Sequence, residues 1–245
     1  MAIVDAGGGA FFTLIMVMAG TSQATLINRG GGLIYDTVLS ITWLQDANYA
    51  QTSGYDADGL MTWDEAVAWA DQLVYGGYND WRLPKTLPVN GSSYDYNYAV
   101  DGSTDVGFNI SAPGSVYEGS TGSELAYMYY NNLGNLGYVD FDGNEPQLGW
   151  GFQHTGPFEN VQAYFDSYYW SGTVSALDPD RAWAFRFDSG FQGSGHGKNY
   201  DYYAWPVRDG DVGAAAVPIP GAVWLLGSGL AGIGLLGRRK RRVRG

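Results

Sequence analysis

Four oxygen donors fall within six residues at Asp140-Phe141-Asp142-Gly143-Asn144-Glu145, a density that suits a hard cation such as calcium. The spacing is not that of an EF-hand loop, whose glycine stands sixth; here Gly143 stands fourth. The plainer reading is a solvated acidic turn. Asp56-Ala57-Asp58-Gly59 is a weaker version of the same pattern. Trp81-Arg82-Leu83-Pro84 sets a planar cation beside an indole, a pair that stacks on sugars and carboxylates. It also follows an amphipathic segment directly, which favours Trp81 as packing and Arg82 as the partner of a carboxylate such as Asp80. Tyr94, Tyr96, Tyr98, Tyr117 and Trp150 lie in loop-like sequence, where they suit either a stacking platform for sugar rings or a small core beneath the loops. Asp142, Glu145 and Trp150 are the expected ligand contacts, and Asp140, Asp142, Asn144 and Glu145 the expected calcium donors.

Several chemistries are excluded or unsupported. With no cysteine, the chain has no disulfide framework, no thiolate metal site and no thiol nucleophile. His154 and His196 are the only histidines, too few for most imidazole metal sites. Some pair among 25 acidic residues will always meet the spacing glycoside hydrolysis needs, and no motif selects one, so the body is expected to be non-enzymatic. The net charge of -12 conceals an asymmetry, because six of the 13 basic residues are Arg238, Arg239, Lys240, Arg241, Arg242 and Arg244. Residues 1–237 carry 7 basic against 25 acidic side chains, a net -18. A body that acidic repels phosphate backbones and sulfated glycans alike, so nucleic acid is excluded as a partner.

Those loops need a scaffold. Two β-rich runs at 33–35 and 41–44 flank a short polar break and predict a hairpin. Thr62 and Glu65 form a capping box, and Trp63, Val67, Ala70 and Val74 recur at helical spacing, predicting a helix over 63–75 that Gly76-Gly77 ends. A second helix is predicted at 123–133, with Leu125, Met128, Tyr129 and Leu133 on one face, Thr121 or Ser123 as its cap and Gly134 as its stop. Runs at 168–171, 182–187 and 203–208 predict aromatic-rich strands, the middle one turning at Asp188-Ser189-Gly190. Residues 86–122 and 134–160 read as long loops, the place to seek a ligand. The order predicts one α+β domain over 33–211, an antiparallel sheet with two main helices that buries Trp43, Trp170, Trp183, Phe185 and Trp205.

The two ends read as addresses. An apolar run at 10–20 followed by Ser22-Gln23-Ala24 matches a secretory signal over 1–24, cleaved after Ala24, although its n-region carries Asp5 and no basic residue. Residues 25–32 then read as linker, as do 212–216. Residues 217–237 run 21 positions without charge, about 31 Å as a helix, and meet the basic tail 238–245. The expected result is a C-terminal transmembrane helix with its basic end in the cytoplasm. Val217-Pro218-Ile219-Pro220, the apolar span and Arg238, Arg239, Lys240, Arg241, Arg242 together resemble a PEP-CTERM sorting signal of the V-P-x-P-A kind. That resemblance implies a Gram-negative host, insertion in the inner membrane, recognition by an exosortase and removal of the tail.

The body resembles the Lcl C-terminal domain family, on GLIYDTVLSITWLQDANYA, MTWDEAVAWADQL, GGYNDWRLP, SELAYMYYNNLGN, YYWSGT, AWAFRFDSGFQ and YAWPVRDGD in that order. The resemblance implies a C-type-lectin-like fold and an extracellular setting, with an adhesin domain binding sulfated glycosaminoglycans as archetype. This acidic body lacks a basic surface for sulfate, so fold and setting are carried over and the sulfated ligand is not. Glu145-Pro146-Gln147 is similar to the Glu-Pro-Asn sugar-and-calcium tripeptide of C-type lectins. Two functions stay open at this point. One is a surface module holding a neutral or calcium-bridged exopolysaccharide; the other is a structural matrix or biofilm component with no small ligand.

Overall fold

A computed structural model of the protein describes residues 25–213. The expected signal with Ala24, the Val217-to-Pro220 motif, the 217–237 span and the basic cluster all lie outside the described residues. Among the described residues no helix is long and apolar enough to cross a membrane.

Residues 25–32 are not linker: they hold β1 (Leu26–Gly30), which pairs antiparallel with β2 (Leu33–Asp36). The Gly-rich stretch that reads as linker is the turn itself, with Gly30, Gly31 and Gly32 at φ 79°, 60° and 77°. β2 turns into β3 (Ile41–Leu44) at Asp36, whose buried carboxylate accepts the N–H groups of Val38 and Leu39 at 2.9 and 3.0 Å and the side-chain amide of Asn132. Burial outweighs those bonds and raises its pKa.

After α1 (Tyr49–Thr52) and β4 (Leu60–Met61) comes α2 (Trp63–Gln72). Its capping box forms: Glu65 accepts the Thr62 N–H at 3.0 Å and hydroxyl at 2.6 Å. The helix stops three residues short of 75, because Leu73 is already extended and the chain closes a bridge between Tyr75 and Tyr78. Val74 is therefore off the helix and exposed. β5 (Tyr98–Ala99) and β6 (Val106–Gly107) are the only strands in the first long loop. α3 (Glu124–Tyr127), capped by Ser123 at 3.2 Å from the Ala126 N–H, continues as a π-helical turn over Met128–Asn132. Leu125, Met128, Tyr129 and Leu133 are all buried there, on the face expected.

β7 (Tyr168–Val174), β8 (Arg181–Arg186) and β9 (Gln192–Gly197) form an antiparallel meander. The single strand expected at 203–208 is two: β10 (Tyr202–Tyr203) and β11 (Val207–Asp209). Pro206 has no N–H to give a ladder, and the chain crosses there from one sheet to the other. The four-stranded sheet runs β1-β2-β3-β11, and the seven-stranded one β4-β10-β7-β8-β9-β6-β5. Pairing is antiparallel except for β10 with β7 and β5 with β6, so the all-antiparallel expectation fails at two short pairings, one of them at an edge. The domain is mostly sheet with few helices.

The seven-stranded sheet is buried on both faces. Tyr169, Phe185 and Phe187 face the main core with Trp43, Trp205 and Tyr129, while Trp170, Ala182 and Ala184 pack under Ala66, Trp69 and Ala70 of α2. The alternation across β8 explains this: alanines leave room for the indoles beneath α2, and phenylalanines fill the wider gap. Trp43, Trp170, Trp183, Phe185 and Trp205 are all 0–1% exposed, as expected, although they are split between two sheets and two faces.

Candidate functional site

The first long loop is pinned from inside. The buried Asp105 carboxylate accepts the N–H groups of Val89 at 2.7 Å and Asp95 at 2.8 Å, and burial raises its pKa. Tyr94 and Tyr96 stack on the buried Trp183 at 5.3 and 5.7 Å, so these two belong to a small core rather than a free platform. Tyr98 and Tyr117 remain exposed. An open cleft of about 580 Å³ lies between residues 87–92 and 117–122.

Asn109 joins the first loop to the second. Its side-chain amide donates to the carbonyls of Val100 at 2.7 Å and Val139 at 2.9 Å, and its N–H donates to the Tyr130 hydroxyl at 2.9 Å. In the second loop Asp140 is consumed locally: it accepts the N–H groups of Asp142 and Asn144 at 3.0 and 2.8 Å and the Asn144 amide at 2.9 Å. The Asn144 amide and backbone bonds hold its pKa below the usual range. Among the described residues no group of three or more acidic or histidine side chains is placed to hold a metal ion. Of the expected calcium donors Asp140, Asp142, Asn144 and Glu145, Asp140 and Asn144 thus bond to each other within the turn, while Asp142 and Glu145 face outward. Asp56, like Asp140, closes its own turn, accepting the N–H groups of Asp58 and Gly59 at 3.0 and 2.8 Å.

Asp142 and Glu145 stay exposed, and the Glu145-Pro146 peptide is cis. Around them the loop turns apolar groups outward: Leu136, Phe141, Leu148 and Trp150 are 45%, 43%, 98% and 36% exposed. Trp150 is braced edge-on by Tyr138 at 4.7 Å. Asn135 fixes the loop's return by accepting the N–H groups of Gln153 and His154 at 2.9 and 2.8 Å. The result is a rim of apolar and aromatic groups beside two free carboxylates, on a hydrogen-bonded backbone.

The Trp81-Arg82 pair is structural. Trp81 is buried against Tyr75, and Arg82 makes a two-pronged bond to Glu124, 2.8 Å on each arm, and a second contact to Asp209. Asp80 is not its partner; it pairs with Arg208 at 2.7 and 2.8 Å. Burial would pull the Arg82 guanidinium down, but Glu124 and Asp209 more than offset it and hold its pKa above the ordinary value.

One arrangement escaped sequence reasoning. Tyr168 and Tyr202 stack at 4.7 Å, and the His196 ring sits 4.4 Å from Tyr168 with Nδ1 3.1 Å from the Tyr202 hydroxyl. The Arg186 guanidinium lies 5.3 Å from the Tyr168 ring and 5.4 Å from the Phe165 ring. Asp188 binds it in two-pronged fashion, and Asp166 lies 3.5 Å away. Burial pushes His196 down to about 4, so the ring is neutral near pH 7. Tyr168 and Arg186 stand directly opposite on β7 and β8, a register that only the folded sheet sets.

A family model for the Lcl C-terminal domain matches residues 32–208. No curated protein and no solved structure matches this chain.

Proposed function

From the premise that this chain belongs to the Lcl C-terminal domain family, we propose that it is an exported surface or matrix protein whose lectin-like, non-enzymatic domain holds neutral exopolysaccharide. The observation that carries the reading is the outward-facing Phe141, Leu148 and Trp150 beside the exposed Asp142 and Glu145. Sugar rings stack their C–H faces on such aromatics and donate hydroxyls to such carboxylates. The acidic body selects against sulfated chains. The ends of the sequence support the export half of the proposal. An apolar leader precedes the domain, and Val-Pro-Ile-Pro, an uncharged span and a basic cluster follow it in the order an exosortase would recognise at the inner membrane.

A glycan array tests the first half. Neutral chains should bind, sulfated ones should not, and Trp150→Ala should remove the signal. No binding anywhere on the array would leave the structural matrix reading, in which the inward stacking of Tyr94 and Tyr96 is the general rule for this chain's aromatics. Intact mass of the protein recovered from the cell surface tests the second half. The expected mass lacks the residues following about 217–220, and recovery of the full arginine-rich end would contradict processing.

A further inference from the structure

β7 to β10 carry a row of rings that the loop site does not use. Phe165 is 85% exposed and Tyr200 54% exposed, while Tyr168 and Tyr202 are half-buried between them and stacked on each other. Tyr168, Tyr202 and Tyr200 touch ring to ring, with centroids 4.7 and 6.2 Å apart, and Phe165 joins them through Arg186. Its charge is already spent: Asp188 and Asp166 oppose one guanidinium with two carboxylates, so the local balance is negative and an anionic ligand is disfavoured. His196 is neutral and turned to the Tyr202 hydroxyl, adding no charge to draw an anion. What remains is flat apolar area edged with hydroxyl and carboxylate acceptors, the chemistry that recognises an uncharged sugar ring.

The row also adjoins the loop site. The Ser189 carbonyl accepts the Tyr138 N–H at 2.8 Å, and a Cβ added to Gly151 would lie 3.3 Å from the Asp188 carbonyl oxygen. The β8–β9 turn thus touches the loop bearing Trp150 on one side and, through the Asp188 carboxylate, holds Arg186 on the other. We propose that Phe165, Tyr168, Tyr202 and Tyr200 form a second subsite for neutral sugar residues, so that one polysaccharide chain is held both here and at Trp150. This rests on the carbohydrate reading above and names the ligand class further: a linear neutral polymer rather than a terminal sugar.

The test compares ligand lengths. The purified full-length chain is titrated with neutral linear β-glucan trisaccharides and hexasaccharides, as wild type and as Phe165→Ala, Tyr200→Ala, Phe165→Tyr and Trp150→Ala. Both Phe165 and Tyr200 are exposed enough for truncation to leave the fold intact, which unchanged thermal unfolding confirms. Phe165→Ala and Tyr200→Ala should each weaken the hexasaccharide about 5-fold and leave the trisaccharide at Trp150 unchanged, with Phe165→Tyr restoring it. Hexasaccharide binding that depends on Trp150 but not on Phe165 or Tyr200 overturns this subsite and spares the function proposed above. No binding of either probe by the wild type overturns both. A change in sedimentation of the sugar-free protein on Phe165→Ala would assign the face to a second copy of the chain and likewise overturn the subsite.

Discussion

Trp170 and Tyr168 stand two residues apart on one face of β7, yet one is sealed and the other is not. Trp170 lies under α2, fully buried, with its indole N–H donated to the Met61 carbonyl at 2.9 Å. Tyr168 lies past that cover, half-buried, against Tyr202, His196 and Arg186. The same strand therefore supplies core at one end and surface at the other, and the difference is set by which ring α2 covers. Aromatic content alone does not distinguish fold from site; cover does.

The comparison breaks first on stability. Trp170→Ala should cost about 3–5 kcal/mol, because α2 cannot collapse into the space, while Phe165→Ala should stay within about 0.5 kcal/mol. Urea unfolding of the two variants reads this directly, and similar losses would erase the distinction between sealed and open rings. Next in size is the clamp that holds the helical segment to the sheet. Glu124→Ala leaves a part-buried Arg82 with only the exposed Asp209 and removes the acceptor of the Lys85 N–H at 2.7 Å, and should cost about 3 kcal/mol. Asp209→Ala removes an exposed partner of the same arginine and should cost under about 1 kcal/mol.

His196 sharpens the contrast through pH. Burial lowers its folded pKa to about 4, below the ordinary value of about 6.5 for an unfolded chain. Between those values the unfolded chain binds the extra proton, so stability falls as pH drops from about 6.5 to about 4 and this contribution then levels off. The loss should reach about 2–3 kcal/mol and be absent in His196→Gln, read as the difference between the two proteins' pH–stability curves. Equal slopes would mean the ring is better hydrated than its place among Tyr168 and Tyr202 implies. The smallest effect expected is none: millimolar calcium or a chelator should leave the melting temperature unchanged, since Asp140 is satisfied by its own loop.

Much of the scaffold was legible because local chemistry decided it. The Thr62–Glu65 box, the Ser123 cap and the apolar spacing of Leu125, Met128 and Tyr129 each settle within a few residues. What failed depended on distant partners. β1 was hidden because its turn is all glycine and its partner strand lies across it, and the split at Pro206 needed two sheets to be visible. The Arg82–Glu124 pair spans 42 positions, so the nearby Asp80 drew the assignment instead. The candidate site was legible in part. Trp150, Asp142 and Glu145 are exposed on the loop expected, but Tyr94 and Tyr96 turn inward to Trp183, a residue 87 positions beyond Tyr96. The row around Tyr168 was invisible because its members come from four strands, with Tyr168 on β7, Arg186 on β8, His196 on β9 and Tyr202 on β10.

If the open rings of this domain meet a neutral glycan, calorimetric titration of wild type and Trp150→Ala with the strongest neutral binder on the array will separate the two proteins. Trp150→Ala should lose affinity about 10-fold or more, with a melting temperature close to that of the wild type. Unchanged affinity, or a loss of affinity matched by a melting-temperature drop like that of Trp170→Ala, would contradict it.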